Sequence, residues 1–312
     1  MEIVELTGKE YNNMIHDNIP VFSKLEFLEL NRDKVDKIHF LAGKDKKIRI
    51  LLAIGEKDGE WRAPFSAPFS NIIIVKKDTS IEYLWEFITL LVSYVKTNNG
   101  KLISIYMPAD IYGAQDNSRI YNALLGNGFN IEYVDVNYSF DLDSFDLDGY
   151  EQLMHYNARK NLRIAMSCYN RFIRCETQKE KEEAYDIIKI NREARGFPLR
   201  MTKEQVMATI EVVNHDFFLV KNNETTIASA IVYRLTSKIA QVVYWGDVPG
   251  VGQYKPINFM SYNLVKYYKE LGYQILDIGI STENGIPNYG LCNFKESLGC
   301  IPSTKIRMKI DL

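Results

Sequence analysis

Hydrophobic and polar positions follow the same sequence of patterns in two successive stretches of the chain. Alternating apolar residues predict β-strands, and apolar residues spaced three and four apart predict amphipathic helices. Residues 1–35 mix a helical pattern with polar turns. After them, the pattern predicts strands over 37–42 and 47–54, around Trp61 and over 71–75, a helix over 81–97, a strand over 101–106, a helix over 119–125 and a strand over 131–142.

The second stretch has more helical pattern before its strands begin. It predicts a helix over 150–167, a strand over 171–177, helices over 179–194 and 202–213, strands over 216–220, 226–235 and 239–246, a helix opening at Pro256, and strands over 274–280 and 304–310. Pro256 suits a first helical position, and Gly272 suits the end of the same helix. Both stretches therefore predict an antiparallel meander followed by helix–strand units.

An acidic, turn-rich segment, Asp141–Gly149, separates the two stretches and predicts domains 1–145 and 146–312. Glycines that end helices and Asp-Leu pairs that end strands recur in the same order on both sides of this segment. Gly100 and Gly272 each end a long helix, Gly128 and Gly299 each end a shorter one, and Asp-Leu pairs at 141–142 and 311–312 each end a final strand. This repeat predicts a duplicated α+β unit.

Composition and charge narrow the classes of function. The 312 residues are 46% hydrophobic and carry a net charge of −2, so no overall positive field would attract nucleic acid or anionic membrane, which leaves a local basic patch as the alternative. The N-terminus lacks the basic and apolar regions of a secretory signal, and the apolar helix 81–95 is broken by Glu82 and Glu86. These features predict a cytoplasmic protein without a membrane span. The four cysteines form neither a CxxC pair nor a cluster with histidine, which argues against a metal site.

Four short segments in the second half carry a resemblance to a known family. They are Asn157–Ala165 (NARKNLRIA), Tyr254-Lys-Pro256, Leu276–Ser281 (LDIGIS) and Gly290–Gly299 (GLCNFKESLG). Together with the order of predicted elements, they resemble the tandem-GNAT group that includes the Fem-type peptidoglycan-bridge aminoacyltransferases. The resemblance implies two GNAT-like domains, each a mixed, mostly antiparallel sheet flanked by helices, with a degenerate first domain and the active site in the second. It also implies transfer of an acyl or aminoacyl group to an amine.

The donor in such a reaction is acyl-CoA in ordinary GNAT enzymes and aminoacyl-tRNA in the Fem type. Residues Gly250, Gly252, Gln253 and Tyr254 precede a helix N-terminus, where free N–H groups hold phosphate in many proteins. Asp247 stands where GNAT enzymes usually have Gln or Arg, and the chain has no room for the helical hairpin that Fem enzymes often insert. We expect an acyl-CoA-type donor, with a tRNA-dependent transferase as the alternative.

Lys295, Asp277 and Tyr289 are the predicted catalytic residues. The Phe-Lys pair at 294–295 resembles the family motif, and an ammonium stabilises the oxyanion of the tetrahedral intermediate in aminolysis. The alternative for Lys295 is a surface lysine on a short helix. Asp277 accepts the proton of the attacking amine in one interpretation and hydrogen-bonds the following turn in the other. Tyr289 is expected to act as an acid or to orient substrate.

Arg159, Arg163, Arg195 and Asn288 are the predicted contacts to the acceptor, a small molecule or a cell-envelope precursor that carries an amine. Arg159 and Arg163 lie four apart, so they share one helix face and suit the phosphates of a nucleotide-linked acceptor or a tRNA. The alternative is an ordinary solvated helix face. Turn chemistry alone also explains Asn288. A non-catalytic binding module built on the same scaffold is a further hypothesis.

Overall fold

The chain forms two compact units, and each contains segments from distant parts of the sequence. The computed structural model describes every residue apart from the side chain of Asp148. Unit 1 comprises residues 1–136, 283–286 and 303–312, and unit 2 comprises residues 137–282 and 287–302. The predicted domains 1–145 and 146–312 treat each unit as one continuous segment and stay a prediction.

Unit 1 contains one sheet with four helices. Its elements are β1 (Glu2–Glu5), α1 (Gly8–Asn12), α2 (Leu25–Leu30), β2 (Lys37–Lys44), β3 (Ile48–Lys57), β4 (Glu60–Ala63), β5 (Ile73–Ile74), α3 (Ile81–Thr97), β6 (Leu102–Tyr106), α4 (Ala114–Gly126), the first part of β7 (Asn130–Asp141), and most of β15 (Ile301–Asp311). Short 3-10 turns lie at Val21–Ser23, Arg32–Lys34 and Asp110–Tyr112.

The sheet of unit 1 has the order β1-β2-β3-β4-β6-β15, with β5 paired to β3. The β4–β6 pair is parallel, whereas the β1–β2, β2–β3, β3–β4, β3–β5 and β6–β15 pairs are antiparallel. Helix α3 buries Leu84, Phe87, Ile88, Leu91 and Val95 in the same core as Trp61. Their spacing of three and four residues is why this segment forms an amphipathic helix over the sheet.

Unit 2 contains the remaining elements. They are α5 (Tyr150–Leu153), α6 (Tyr156–Ser167), β8 (Asn170–Arg174), α7 (Gln178–Arg195), α8 (Lys203–Ile210), β9 (His215–Asn222), β10 (Thr225–Arg234), β11 (Ile239–Asp247), α9 (Pro256–Glu270), β12 (Ile275–Ile280) and α10 (Tyr289–Ser297). The short strands β13 (Thr282–Glu283) and β14 (Ile286–Pro287) follow β12. Further 3-10 turns lie at Leu147–Gly149 and Gly252–Tyr254.

Strands β8, β9, β10, β11 and β12 follow one another in the sheet of unit 2, and residues 137–141 of β7 complete it. The β11–β12 pair is parallel, and the other pairs are antiparallel. Both units therefore have an antiparallel meander, one parallel pair and a last antiparallel strand. The last strand of unit 1 comes from the C-terminus of the chain, and the last strand of unit 2 comes from its middle. This equivalence is the physical basis of the repeat in the sequence.

Local signals in the sequence explain the helix ends of unit 2. Thr177 caps α7 with a capping box to Glu180, and Gly196 ends the helix at a φ of +68°. Pro256 is the first residue of α9. Two sequence predictions were wrong in detail: residues 2–5 form a strand where a helical pattern was expected, and the helix predicted over 150–167 is divided by His155, whose backbone is extended.

Candidate active site

Strands β11 and β12 pair over only three residues each and then separate. Their parallel register runs from Ile239 opposite Ile275 to Gln241 opposite Asp277. On its other side, β12 pairs with residues 137–141 of β7, and that register is interrupted between Asp277 and Ile280. Gly279 lies within the interruption at a φ of +72°, a backbone conformation that residues other than glycine rarely adopt. The end of β12 is therefore irregular where the two parallel strands separate.

Lys295 of α10 occupies this irregular end of β12. Its side chain is 2% exposed, and Nζ donates to the carbonyl oxygens of Ile278 and Gly279 at 2.8 Å and of Ile280 at 3.0 Å. An ammonium has three N–H donors, so all three are engaged by backbone carbonyls. Nζ also lies 5.6 Å from the centroid of the Tyr138 ring. Lys295 is thus a buried charge that fixes the backbone of β12, and the surface lysine of the alternative interpretation is not what the structure contains.

Burial and neighbouring charges act in opposite directions on the Lys295 ammonium. Burial lowers its pKa to about 8, while Cys300, Asp277 and Cys292 act to raise it and Arg192 adds to the lowering. The pKa of Lys295 is therefore closer to neutral pH than that of an exposed lysine. A lysine of this kind is typical of a functional site, although a structural charge network also produces such shifts.

Asp277, in the paired part of β12, lies close enough to Lys295 for their charges to interact. Its carboxylate is 1% exposed and accepts hydrogen bonds from Asn137 Nδ2 at 2.8 Å, Gln241 Nε2 at 2.7 Å and the backbone N–H of Gly279 at 2.8 Å. The bond to Gly279 is the contact to the following turn that the second sequence interpretation describes. Asp277 therefore connects β7, β11 and the irregular end of β12, and it sets the geometry around Lys295.

Arg192 is a residue of this region that the sequence reasoning missed. It is half-buried on α7, its Nε is buried without a hydrogen-bond acceptor among the described residues, and its guanidinium carbon lies 5.9 Å from the Tyr244 ring centroid. Burial lowers its pKa, and the positive charge of Arg195 acts in the same direction. A buried donor without a partner is rare in folded proteins. The signal in the sequence is that Arg192 continues the buried stripe of α7, which includes Ile188 and Asn191.

The loop after β11 contains the predicted donor-binding residues. Gly250, Gly252 and Gln253 are exposed and Tyr254 is half-buried, directly before the N-terminus of α9. Gly250 has a φ of +84°, so a glycine is required for this turn.

Asp247, at the start of this loop, is held by two side chains of α7. Asn191 Nδ2 donates to its backbone oxygen at 2.8 Å and to Oδ1 at 3.1 Å, and Arg195 pairs with Oδ1 at 3.2 Å. A Cβ on Gly246 would lie 2.6 Å from Asn191, so glycine lets α7 approach the strand. The pairing with Arg195 offsets the negative charge that opposes phosphate at this loop.

Two further predicted residues lie at the start of α10. Asn288 is the N-cap of this helix, and its Oδ1 accepts a hydrogen bond from the Leu291 N–H at 3.0 Å. Tyr289, the first helical residue, is 74% exposed. The cap explains Asn288 by helix chemistry alone, which was the second sequence interpretation. Their roles towards an acceptor stay predictions.

The fold was compared with solved structures. FemX has a TM-score of 0.73 with this chain at 16% identity, and the alignment covers 100% of this chain and 98% of FemX. The chain has the fold of FemX. A tandem GNAT protein from the clavulanic acid biosynthesis pathway aligns with a TM-score of 0.54 at 10% identity, covering 99% of this chain and 98% of that protein. The predicted tandem GNAT-like α+β fold is thereby confirmed.

A third structure extends the comparison to another group. The C-terminal domain of a putative lysylphosphatidylglycerol synthetase from Agrobacterium fabrum has a TM-score of 0.62 at 11% identity, covering 97% of this chain and 92% of that domain. No protein-family model matches the sequence. No curated protein matches it either. The likeness is therefore one of fold.

Arg159 and Arg163 lie on α6 of the second GNAT-like unit. Arg159 is half-buried and Arg163 is exposed, and neither makes an ion pair in the described part of the chain. The opposite side of α6 buries Ala158, Leu162 and Ala165. The two arginines thus belong to the outward side of the helix, as their spacing of four predicts.

Metal binding and membrane insertion each require a recognisable arrangement of residues. Among the side chains of the described residues, no group of three or more His, Cys, Asp and Glu has an arrangement that holds a metal ion. No helix of the described chain has the length and apolar character needed to cross a membrane. Cys292 is a free thiol whose Sγ contacts the backbone oxygen of Ser281 at 3.5 Å.

Proposed function

We propose that this chain is an N-acyltransferase that moves an acyl group from an acyl-CoA-type donor to an amine acceptor. The observation that carries the proposal is the buried ammonium of Lys295 at the irregular end of β12, where β11 and β12 separate. Its charge lies within electrostatic reach of Asp277 and Arg192. The fold shared with FemX and with a tandem GNAT protein supports the same class of reaction.

In this reaction, the nitrogen of the acceptor attacks the carbonyl carbon of the thioester. A C–N bond forms, the C–S bond breaks, and the thiolate leaves. The ammonium of Lys295 stabilises the negative charge on the carbonyl oxygen, for which it exchanges one of its three backbone carbonyls. A water molecule oriented by Asp277 takes the proton of the amine. Chemistry of this kind depends chiefly on positioning and on a fixed charge.

Arg192 supplies the contact to an anionic group of one substrate. Its Nε is already dehydrated and has no acceptor among the described residues, so binding an anion there recovers a hydrogen bond at little extra desolvation cost. The loop with Gly250, Gly252, Gln253 and Tyr254 holds the phosphates of the donor before α9, and Arg195 offsets the charge of Asp247. Asn288 and Tyr289 border the acceptor.

Two other functions each have one observation in their favour. An aminoacyl-tRNA-dependent transferase that acts on a cell-wall precursor is favoured by the full-length alignment with FemX. A non-catalytic binding module is favoured by the engagement of all three Lys295 donors with backbone carbonyls. The second function predicts a folded chain that binds neither donor.

A thermal-shift measurement with acetyl-CoA and with bulk aminoacylated tRNA separates these functions. We expect the melting temperature to rise with acetyl-CoA, because a ligand that binds only the folded state stabilises it. Arg192→Met provides the matched variant, and it should lower the response if Arg192 contacts the donor. A rise with aminoacylated tRNA alone would replace the proposal by the tRNA-dependent reaction, and no rise with either would favour the binding module.

A further inference from the structure

Helix α6 presents a side to solvent that carries more than the two arginines predicted to contact the acceptor. Positions 156, 160, 163 and 167 lie within about 40° of one direction on a helix of 3.6 residues per turn, and positions 159 and 166 lie together along one edge of this group. The buried residues Ala158, Leu162 and Ala165 lie on the opposite side. We define the α6 stripe as Tyr156, Arg159, Lys160, Arg163 and Met166.

The stripe combines cations with exposed apolar groups. Arg159, Lys160 and Arg163 make no ion pair among the described residues, although the whole chain carries a net charge of −2. Tyr156 is 73% exposed and Met166 is 45% exposed, and Leu153 at the end of α5, three residues before the helix, is 44% exposed. Tyr169, two residues after the end of α6, is 84% exposed. A solvated helix face explains the cations but not this set of exposed apolar side chains.

We infer that the α6 stripe is a docking surface for anionic phospholipid, on which the helix lies parallel to the lipid surface. The twelve residues of α6 span about 18 Å, so three cations along one side meet several headgroups at once. Tyrosine is an amphipathic side chain suited to the boundary between headgroups and acyl chains, and Met166 and Leu153 suit the apolar side of that boundary.

An RNA partner fits the stripe less well than lipid. The phosphates of RNA pair with arginine and lysine, and the bases of RNA stack on aromatic rings. Neither interaction involves aliphatic side chains such as Met166 and Leu153. The lipid surface accounts for cations, tyrosines and aliphatic side chains together. His155, the residue before the stripe, donates its backbone N–H to the Ser297 oxygen at the end of α10. Docking at α6 is therefore adjacent in the fold to the helix that carries Lys295.

Vesicle co-sedimentation of the full chain tests this inference without any transfer reaction. We expect binding to phosphatidylglycerol vesicles that weakens with salt, and little binding to phosphatidylcholine vesicles. Each cation near an anionic surface raises the partition coefficient several-fold. Neutralising all three, in R159Q/K160Q/R163Q, should therefore lower the partition coefficient on the order of 100-fold. Tyr156→Ser should lower binding further at high salt, where the apolar contact dominates.

The matched control is K46Q/K76Q/K77Q, which removes three exposed lysines of unit 1 and changes the net charge equally. It should bind phosphatidylglycerol vesicles like the parent chain, and circular dichroism should show that both triple variants are folded. If the control lost as much vesicle binding as R159Q/K160Q/R163Q, net charge alone would explain the loss and the inference would be overturned. The inference would also be overturned by absence of binding by the parent chain, by displacement by soluble glycerol phosphate at the vesicle-equivalent concentration, or by tight binding of an RNA duplex without vesicle binding.

Discussion

Replacing Lys295 by methionine tests how the buried ammonium holds the end of β12. Methionine keeps an unbranched apolar chain of similar length but has no donor for the carbonyl oxygens of Ile278, Gly279 and Ile280, which lie 2.8, 2.8 and 3.0 Å from Nζ. The substitution therefore removes three hydrogen bonds and one buried charge. Little volume is lost, so the effect on packing is small.

Two opposing contributions set the size of the effect. Leaving a buried acceptor without its hydrogen bond costs about 1–3 kcal/mol, which gives about 6 kcal/mol for three carbonyls at the middle of that range. Burial lowers the pKa of Lys295 from 10.5 to about 8, and this difference corresponds to about 3 kcal/mol of unfavourable charge burial that methionine avoids. The expected net loss in the free energy of unfolding is about 3 kcal/mol.

Urea unfolding of the parent chain and of Lys295→Met measures this difference, with the slope m checked for a change in the denatured state. Lys266→Met is the control, because Lys266 is an exposed residue of α9 that only approaches Glu270 at 3.9 Å. We expect less than about 0.5 kcal/mol for the control. If Lys295→Met lost no more than this control, the three carbonyl contacts would contribute nothing to the fold and the reasoning would be refuted.

Three further predictions concern charges of unit 2. The transfer rate should fall as pH rises through about 8, because burial lowers the pKa of Lys295 to about 8 and only its charged form stabilises the oxyanion; a pH–rate profile that keeps rising would contradict this. Arg192→Met should raise the free energy of unfolding by about 1 kcal/mol, since it removes a buried donor without an acceptor, and it should also raise KM for the anionic substrate. Urea unfolding that shows lower stability, together with kinetics that show an unchanged KM, would contradict this prediction. Asp216→Asn should cost about 3–5 kcal/mol in chemical unfolding, because the buried carboxylate pairs with Arg174 and Arg234 at 2.8 and 2.7 Å, and a loss below about 1 kcal/mol would count against this.

The sequence predicts much of the sheet because most strands of the meanders are apolar, β-rich runs bounded by glycine or polar turn residues. It fails at β1, whose four residues are too short to establish a period against the neighbouring helical pattern. It also fails at His155, where the chain leaves helical conformation without a glycine or proline to indicate it. Local patterns cannot tell that β15 completes unit 1 and residues 137–141 complete unit 2, because strand pairing is a long-range property.

The candidate site is partly visible in the sequence for similar reasons. Lys295 and Asp277 stand out because polar residues interrupt an apolar pattern at places that resemble a family motif. Their hydrogen-bond partners, such as Asn137 and Gln241, come from distant strands, so only the fold shows that Asp277 is held by three donors. Arg192 resembles the charged end of an amphipathic helix, and its burial without a partner becomes apparent only with the packing of α7.

Release of free CoA from acetyl-CoA, with free lysine and a lysine-containing peptide as amine acceptors, tests the central claim most directly. The parent chain should release CoA in step with acylated amine identified by mass spectrometry. Lys295→Ala, compared with Lys266→Ala as the exposed control, should lower the rate on the order of 10²–10³-fold while its circular dichroism stays that of a folded chain. A Lys295→Ala chain that is folded and transfers the acyl group at the parent rate would contradict the proposed function of Lys295.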